Sequence, residues 1–132
     1  LAKTIYGEAR GENWETKIAV GWSVKNRVLE RTWYGNSYRT VCLKRFQYSC
    51  WLEGDPNRLK LLMPGEQGKD RLAWLDCIRA AHEVMVGKHD PINGGTHYYD
   101  RSLDDHPPAW SAKATRVEVP FHTRMRFFKN VP

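Results

Sequence analysis

Residues 13–30, NWETKIAVGWSVKNRVLE, have a pattern that predicts the helix around which the rest of the chain packs. Asn13 is a suitable N-cap, and Glu15 follows in the first turn, where a carboxylate is favourable. We therefore predict a central buried helix, with Trp14 and Trp22 packed in the core or at its rim. Its wide apolar face consists of Ile18, Ala19, Trp22, Val28 and Leu29.

An acidic segment with small neighbours, residues 6–12 (YGEARGE), precedes this helix. The first six residues are typical of the end of a helix, and Gly7 and Gly11 are expected to loosen it around Glu8. The two glycines would also allow a ligand to approach the backbone closely. The apolar residues at helical spacing are Leu1, Ile5 and Ala9.

Glu8 is the predicted catalytic residue. A carboxyl group half buried at this point would have a raised pKa, because desolvation penalises its charged form. A carboxylic acid still protonated near neutral pH can donate its proton to a glycosidic oxygen. On an unbroken helix, Glu12 would share a face with Glu8 at a spacing compatible with a two-carboxylate mechanism. Because Gly11 argues against a continuous helix, we expect Glu12 to cap or brace the loop, with a second-carboxylate role as the alternative.

A second helix is predicted for residues 70–86, with Asp70 at its start and Gly87 at its end. Residues 32–43 indicate a loop, and residues 53–69 a long polar excursion with one helical turn near residues 58–62. The apolar stripe of the second helix would be Leu75, Ile78, Ala81, His82 and Met85.

The end of the chain is predicted to contain β structure. Residues 96–99 indicate a short strand, and residues 115–121 and 123–128 alternate apolar and polar side chains in the way of a terminal hairpin. The predicted fold class is therefore α+β, mostly helical, with a small β-hairpin or sheet toward the C-terminus.

The composition predicts one globular domain over residues 1–132, since 41% of the residues are hydrophobic and 27% are charged. No apolar run reaches the length of a membrane span and no secretory signal pattern is present, so stable membrane insertion is not expected. Because the chain opens on Leu1 inside a helical pattern, we expect either a processed product or a domain cut from a longer protein. A monomer is expected.

The formal net charge is +6, and basic residues cluster late in the chain. A basic surface attracts polyanions such as nucleic acid, anionic lipid or an acidic wall polymer. Charge alone favours a solvated face, and the Lys/Arg block of a nucleic-acid tail is missing, so nucleic-acid binding is not expected. The late basic residues are Arg116, His122, Arg124, Arg126 and Lys129.

Cysteine and histidine spacing predicts neither a metal nor another cofactor. Cys42, Cys50 and Cys77 make an odd count, which disfavours a disulfide framework, is compatible with one bridge, and suits a reducing compartment if the thiols are free. His82 lacks the second histidine of the metalloprotease helix motif, and the adjacent His89 and Asp90 lack a third ligand.

The cluster at residues 47–51 (QYSCW) admits two functional interpretations. In one, Gln47 and Ser49 hydrogen-bond a sugar while an aromatic ring packs on its apolar face. In the other, Cys50 is a nucleophile with His97 as its base, because Ser-Cys-Trp resembles the papain-type signature. That fold places its cysteine at the start of a long helix, which residues 52–56 do not provide, so a buried structural Cys50 is favoured.

Hydroxyl groups, an imidazole and two aromatic rings follow one another at residues 96–99 (THYY). In an extended segment, His97 and Tyr99 would share one face, and Thr96 and Tyr98 the other. The segment is interpreted equally well as a strand with one packed face or as the lining of a ligand site.

Several separated segments resemble, in the right order, the SleB/CwlJ-type cell-wall hydrolases, which include spore-cortex-lytic enzymes and phage lysins. Residues 5–12 (IYGEARGE), with Ala19-Val20 and Asn26-Arg27-Val28, resemble the opening of that family. Residues 46–49 (FQYS) resemble its QFS segment, with Tyr48 in place of the usual Phe. The remaining similar segments are residues 95–99 (GTHYY), 107–110 (PPAW) and 122–128.

The resemblance implies a lysozyme-like fold and cleavage of peptidoglycan between N-acetylmuramic acid and N-acetylglucosamine. The better-understood members are lytic transglycosylases, in which one glutamate is acid and then base and the product carries a 1,6-anhydro ring. The family's glutamate corresponds to Glu8. A hydrolytic muramidase, a Cys50/His97 peptidase and a non-catalytic wall-binding module stay as alternatives. The implied substrate contacts are Gln47, Ser49, His97, Tyr98 and Tyr99.

The resemblance also implies action on the bacterial cell wall, in the periplasm or on the wall side. The polar stretch at residues 53–69 and the basic C-terminus differ from the spore enzymes. Both suit a phage lysin, either associated with the virion or delivered with other lysis factors.

Overall fold

The computed structural model describes residues 1–66 and 68–132, apart from the side chain of Lys69. Helices come first and a small antiparallel sheet lies toward the C-terminus, so the predicted mostly helical α+β class is confirmed. The helices are α1 (Ala2–Ala9), α2 (Trp14–Glu30), α3 (Tyr38–Leu43), α4 (Pro56–Leu62) and α5 (Gly68–Val86). The strands are β1 (His97–Asp100), β2 (Thr115–Val117) and β3 (Met125–Lys129), and short 3-10 turns cover Ser49–Trp51, Arg101–Leu103 and Ala109–Lys113.

Helix α2 lies at the centre of the helical part, in contact with α1, α3 and α5. It begins where the sequence predicts, since the Asn13 side chain accepts a hydrogen bond from the Thr16 backbone N–H at 2.9 Å. The predicted central helix is confirmed, with Trp22 in the core and Trp14 at the rim, although Leu29 is exposed. Its fully buried apolar side chains are Ala19, Val20 and Val24.

Helix α1 continues through Gly7 and Glu8 and ends one residue later, so the predicted loosening around Glu8 is wrong. A Cβ atom on Gly7 would lie 2.6 Å from Cys50 Cβ, closer than real Cβ atoms approach. The missing side chain therefore lets the Ser49–Trp51 turn pack directly against α1. At Gly11, beyond the helix end, an added Cβ would meet nothing within 4 Å.

Helix α5 begins at Gly68 and ends as predicted, so Asp70 lies in its first turn and does not cap it. The predicted stripe is wrong apart from Ala81, because Leu75, Ile78, His82 and Met85 are exposed. Small residues form the buried face instead, which brings α5 close to α1 and α2. That face consists of Cys77, Ala80, Ala81 and Val84.

Two segments predicted to be irregular contain helices. Within residues 32–43, Ser37 and Thr40 form a reciprocal capping box that starts α3. Within residues 53–69, the Asp55 side chain accepts a hydrogen bond from the Asn57 backbone N–H at 2.9 Å and starts α4, which is longer than the predicted single turn. Gln67 of the same predicted excursion lies outside the described residues.

Strand β3 is the centre of the sheet, with β1 and β2 antiparallel on either side. Strands β2 and β3 form the predicted terminal hairpin, and β1 matches the strand predicted at residues 96–99 to within one residue. Phe127 is buried opposite Tyr98 in β1 and Val117 in β2. This row of side chains packs against α2 and α5, which fixes the sheet next to the helices.

Candidate active site

Glu8 lies half-buried on the last turn of α1, where this helix meets the Ser49–Trp51 turn. The backbone N–H groups of Cys50 and Ser49 lie close enough to its carboxyl group to lower its pKa. The absence of a side chain on Gly7 permits this approach. Gly7 and the Ser49–Trp51 turn thus bring two backbone N–H groups close to one carboxyl group.

The pKa of the Glu8 carboxyl group is raised from 4.5 to about 7. Burial is the largest cause, because it removes water from the charged form. The negative charge of Asp55 adds to the rise, whereas the two backbone amides and the positive charge of Arg27 oppose it. A large fraction of Glu8 is therefore protonated at neutral pH, which a general acid requires.

Asp55 supplies a second carboxylate near Glu8. Its position is fixed by its role as the N-cap of α4. Glu12 lies beyond the end of α1, where its backbone N–H donates to the Ala9 carbonyl at 3.0 Å. Glu12 therefore does not share a helix face with Glu8. The expected role of Glu12 in the loop requires this position outside the helix.

Arg27 is a buried cation beside the site, with 3% of its surface exposed. Its Nε donates to the Thr96 carbonyl at 2.7 Å, and its Nη1 donates to Gln47 Oε1 at 2.9 Å. The guanidinium carbon lies 5.1 Å from the ring centroid of Tyr34 and 4.8 Å from that of Tyr48. Arg27 therefore ties α2 to the start of β1 and to the loop before the Ser49–Trp51 turn.

A cavity of about 280 Å³ brings together three of the predicted substrate contacts, Gln47, His97 and Tyr98. Glu8 itself is not among the described residues that line this cavity. Burial is the main cause that raises the pKa of the Tyr98 hydroxyl and the charge of Glu8 adds to it, so Tyr98 lies within electrostatic range of the carboxyl group. Besides the three predicted residues, its lining includes Arg27 and the rings of Trp33 and Trp110.

His97 is a neutral member of this lining. Its pKa is lowered to about 4 by burial and by the charge of Arg27. Its Nδ1 lies 2.9 Å from Thr96 Oγ1, and its ring centroid lies 4.9 Å from that of Trp110. Near neutral pH the imidazole is therefore an uncharged hydrogen-bonding group.

The other two predicted contacts, Ser49 and Tyr99, are not among the described residues that line this cavity. Ser49 is exposed and contributes its backbone N–H to Glu8. Tyr99 stacks on Phe128 with the ring centroids 5.4 Å apart and lies 6.2 Å from Trp110. Since His97 also contacts Trp110, the predicted shared face of His97 and Tyr99 is confirmed.

The position of Cys50 does not favour the peptidase alternative. The thiol is fully buried, and burial raises its pKa, with the charges of Glu8 and Asp55 opposing the thiolate further. The His97 ring forms its hydrogen bond with Thr96 Oγ1. All three cysteines are free and buried, so the one bridge compatible with their count is not formed.

The wall-binding alternative depends on a free basic surface near the C-terminus. Three of the five late basic residues are instead paired with acidic neighbours, which reduces the charge available to an anionic polymer. The pairs are Arg116 with Glu118 at 3.3 Å, Arg124 with Asp100 at 3.3 Å and Arg126 with Asp104 at 2.7 Å.

Sequence reasoning missed Arg27, Asp55, Trp33 and Trp110 as parts of this site. Arg27 did carry a signal, because a charged residue within a helix predicted to be buried needs polar partners. For Asp55, the only signal in the sequence was that of a helix N-cap. Its nearness to Glu8 depends on how α4 packs against α1, which no local pattern encodes.

Within residues 1–66 and 68–132, no group of three or more His, Cys, Asp or Glu side chains is arranged to hold a metal ion. In the same ranges, no helix is both long and apolar enough to cross a membrane. The described side chains also leave no fully buried polar atom without a hydrogen-bond partner.

The sequence model of the cell wall hydrolase family matches residues 11–128. No match was found among curated proteins or among solved structures. The matched segment includes Arg27, Asp55 and the residues of the cavity up to Trp110. The matched segment begins shortly after Glu8 and does not include it, so the role of Glu8 is inferred from the groups around its carboxyl group.

A match over most of the chain defines the class of protein, an enzyme that degrades the bacterial cell wall. The chain belongs to the cell wall hydrolase family, and the resemblance found in its motifs is confirmed. Peptidoglycan is therefore the substrate that the family implies. The family description names neither a phage nor a spore.

Proposed function

We propose that this protein is a lytic transglycosylase that cleaves the β-1,4 bond between N-acetylmuramic acid and N-acetylglucosamine, with Glu8 as both acid and base. The observation that carries the proposal is the half-buried Glu8 carboxyl group with a pKa of about 7. At neutral pH such a group can donate a proton and then accept one. Family membership supplies the substrate class.

In the first step, protonated Glu8 donates its proton to the glycosidic oxygen while the bond from this oxygen to C1 of muramic acid breaks. The N-acetylglucosamine part leaves with a free 4-hydroxyl group. Positive charge develops at C1, and the negative charges of Glu8 and Asp55 favour this state.

In the second step, the C6 hydroxyl oxygen of the muramic acid forms a bond to C1, and the Glu8 carboxylate takes the hydroxyl proton. The product carries a 1,6-anhydro ring. No water is consumed, and Glu8 returns to its protonated state for the next cycle.

Substrate contact is assigned to Gln47, His97 and Tyr98, which line one cavity. Of these, Tyr98 lies within electrostatic range of Glu8. Trp110 supports the imidazole of His97 from one side. The exposed Ser49 and the Trp110-contacting Tyr99 are assigned to the outer part of the same groove.

A hydrolytic muramidase is the second candidate, and the nearness of Asp55 to Glu8 favours it. A second carboxylate can position a water molecule or stabilise charge at C1. The released strands would then end in reducing muramic acid.

The test is mass spectrometry of the fragments released from purified peptidoglycan by the wild type and by Glu8→Gln. We expect anhydromuramyl ends with the wild type and a rate lower by about 100- to 10,000-fold with the variant, because removal of a general acid typically costs this much. Glu12→Gln is the matched comparison in the same segment, and we expect it to stay near the wild-type rate.

The possible products separate the candidates. Reducing muramic ends would replace the transglycosylase by a muramidase and leave Glu8 in its role. A strong loss of activity in Glu12→Gln, with the fold intact, would restore Glu12 as the second carboxylate. Release of peptides without glycan fragments would overturn both glycosidase candidates.

A further inference from the structure

We propose that Arg27 forms a binding site for a carboxylate of the substrate, reached through the cavity that Arg27 lines together with Tyr98. This inference rests on the proposed function, since the carboxylate belongs to the glycan strand or to its stem peptide. The steps of bond cleavage described above give Arg27 no direct contact with the substrate.

The first observation is a buried charge without an ionic partner. Arg27 is 3% exposed, yet none of the four salt bridges among the described residues includes it. A buried cation is costly unless it is paired or fully hydrogen-bonded. The carbonyl of Thr96, the amide oxygen of Gln47 and two aromatic faces offset this cost. Glu8 and Glu30 lie near enough for the charge of Arg27 to lower their pKa values, but neither forms a salt bridge with it.

The second observation is that the guanidinium group keeps unused donors. Of its five N–H groups, one on Nε and one on Nη1 are engaged. Nη2 has no acceptor among the described residues, and no fully buried polar side-chain atom there lacks a partner. Nη2 therefore reaches a solvent-accessible surface, and the cavity that Arg27 lines supplies one. Two parallel N–H groups of a guanidinium match the two oxygens of a carboxylate.

The third observation is the chemistry of the cavity wall. No acidic side chain of the described residues lines this cavity, so an incoming anion meets the charge of Arg27 without repulsion from its immediate walls. Trp33 and Trp110 provide aromatic surfaces of the kind that pack on sugar rings. A volume of about 280 Å³ is at the lower limit for a pocket that encloses a whole ligand, so the cavity fits one substituent of a larger polymer.

Peptidoglycan offers this carboxylate from two sources. The lactyl carboxyl group of N-acetylmuramic acid is free wherever the strand carries no peptide. Where a peptide is attached, the nearest free carboxylates belong to the stem. Both bring the same chemistry to Arg27, although the lactyl carboxylate lies on the muramic acid itself and the stem carboxylates lie further from the bond that Glu8 would cleave.

The test compares substrates that differ in charge alone. Peptide-free glycan strands are prepared with the lactyl carboxyl group free or converted to a primary amide, and strands with stem peptides are treated in the same way. For one of these pairs, we expect amidation to raise the wild-type KM by about tenfold or more with little change in kcat, because charge-assisted hydrogen bonds are lost. The pair that responds identifies the source.

The variant Arg27→Lys keeps the charge and loses the two-pronged donor geometry, so it should lose most of the discrimination between free and amidated strands. Arg31→Lys, at the exposed end of α2, is the matched control and should keep it. Because Arg27 also connects α2 to β1, its variant can lose the fold. The wild-type comparison needs no variant and can overturn the inference by itself, while a folded Arg27→Lys that keeps the full discrimination would overturn the assignment to Arg27.

Equal kinetics of the wild type on the free and amidated forms of both strand types would overturn this inference and leave the proposed function intact. Release of no glycan fragments from any of the four substrates would overturn the proposed function, and this inference with it.

Discussion

At the scale of the residue, Glu8 has a near-neutral pKa because opposing influences on one carboxyl group nearly balance. Burial and the charge of Asp55 raise the pKa, while two backbone amides and Arg27 lower it. The glutamate and its small neighbours were predictable from the sequence. The two amides, Asp55 and Arg27 come from other segments of the chain, so the pKa of Glu8 could not be predicted from the sequence alone.

Replacement of Asp55 should shift the pH dependence of the reaction. We expect Asp55→Asn to lower the pKa of Glu8, because loss of a neighbouring negative charge makes the ionised form less unfavourable. The first step needs protonated Glu8, so the alkaline decline of kcat/KM should move to lower pH. Asparagine also accepts a hydrogen bond as an N-cap, so α4 should be retained. A profile unchanged or displaced to higher pH would contradict the electrostatic role of Asp55.

The raised pKa of Glu8 should also appear in the stability of the protein. With a pKa of 4.5 when unfolded and about 7 when folded, the stabilising contribution of Glu8 is fully present below pH 4.5 and is lost as the pH rises through about 7. Glu8→Gln should therefore be more stable than the wild type above pH 7, by up to about 3 kcal/mol, and should have no such advantage below pH 4.5. Urea unfolding across this range measures the difference, and a difference independent of pH would argue against a desolvated carboxyl group.

Among the helices, α2 with its polar cap and large apolar face was predictable from the sequence, whereas the short helix α3, the full length of α4 and the buried face of α5 were not. The cap at Asn13 agrees with the prediction, and so does the face of α2 apart from the exposed Leu29. In α5, small residues at positions 77, 80, 81 and 84 are buried, while the larger ones are exposed. Hydrophobicity favours large side chains, whereas close contact with α2 requires small ones, so the pattern predicted the wrong face.

Close packing also gives a test of the contact between α1 and the Ser49–Trp51 turn. Gly7→Ala should destabilise the protein by about 1 to 3 kcal/mol, because the new Cβ would lie 2.6 Å from Cys50 Cβ. The displaced turn would also move the backbone amides away from Glu8 and lower activity. Thermal unfolding and wall-clearing assays measure the two effects.

Gly11→Ala is the matched control for this experiment, because an added Cβ there meets nothing within 4 Å. We expect its stability and activity to stay close to the wild type. If Gly7→Ala behaved in the same way as Gly11→Ala, the close contact with Cys50 would not be needed for the site.

At the scale of the whole molecule, the site is assembled from distant parts of the chain. Glu8 comes from α1, Asp55 from the start of α4, Arg27 from α2 and Tyr98 from β1. The sequence motifs predicted Glu8 and Tyr98 as site residues. The sequence could not predict that α4 brings an acidic cap to Glu8, because this depends on tertiary packing.

The buried thiols provide a measurement on the whole fold. Cys42, Cys50 and Cys77 are all free and buried, and burial raises the pKa of each thiol. We expect all three to react with a thiol reagent only as the protein unfolds, and alkylation should leave the activity of the folded enzyme unchanged. A fast-reacting Cys50 in the folded state, with loss of activity on modification, would favour the peptidase after all.

Whether Glu8 cleaves the glycan strand is tested by the rates at which the wild type and Glu8→Gln release muramyl fragments from the same purified peptidoglycan. Circular dichroism and unfolding curves first establish that the variant is folded. We expect anhydromuramyl fragments from the wild type and a rate lower by about 100-fold or more from the variant. A folded Glu8→Gln that releases glycan fragments at the wild-type rate would contradict the assignment of Glu8 as the acid.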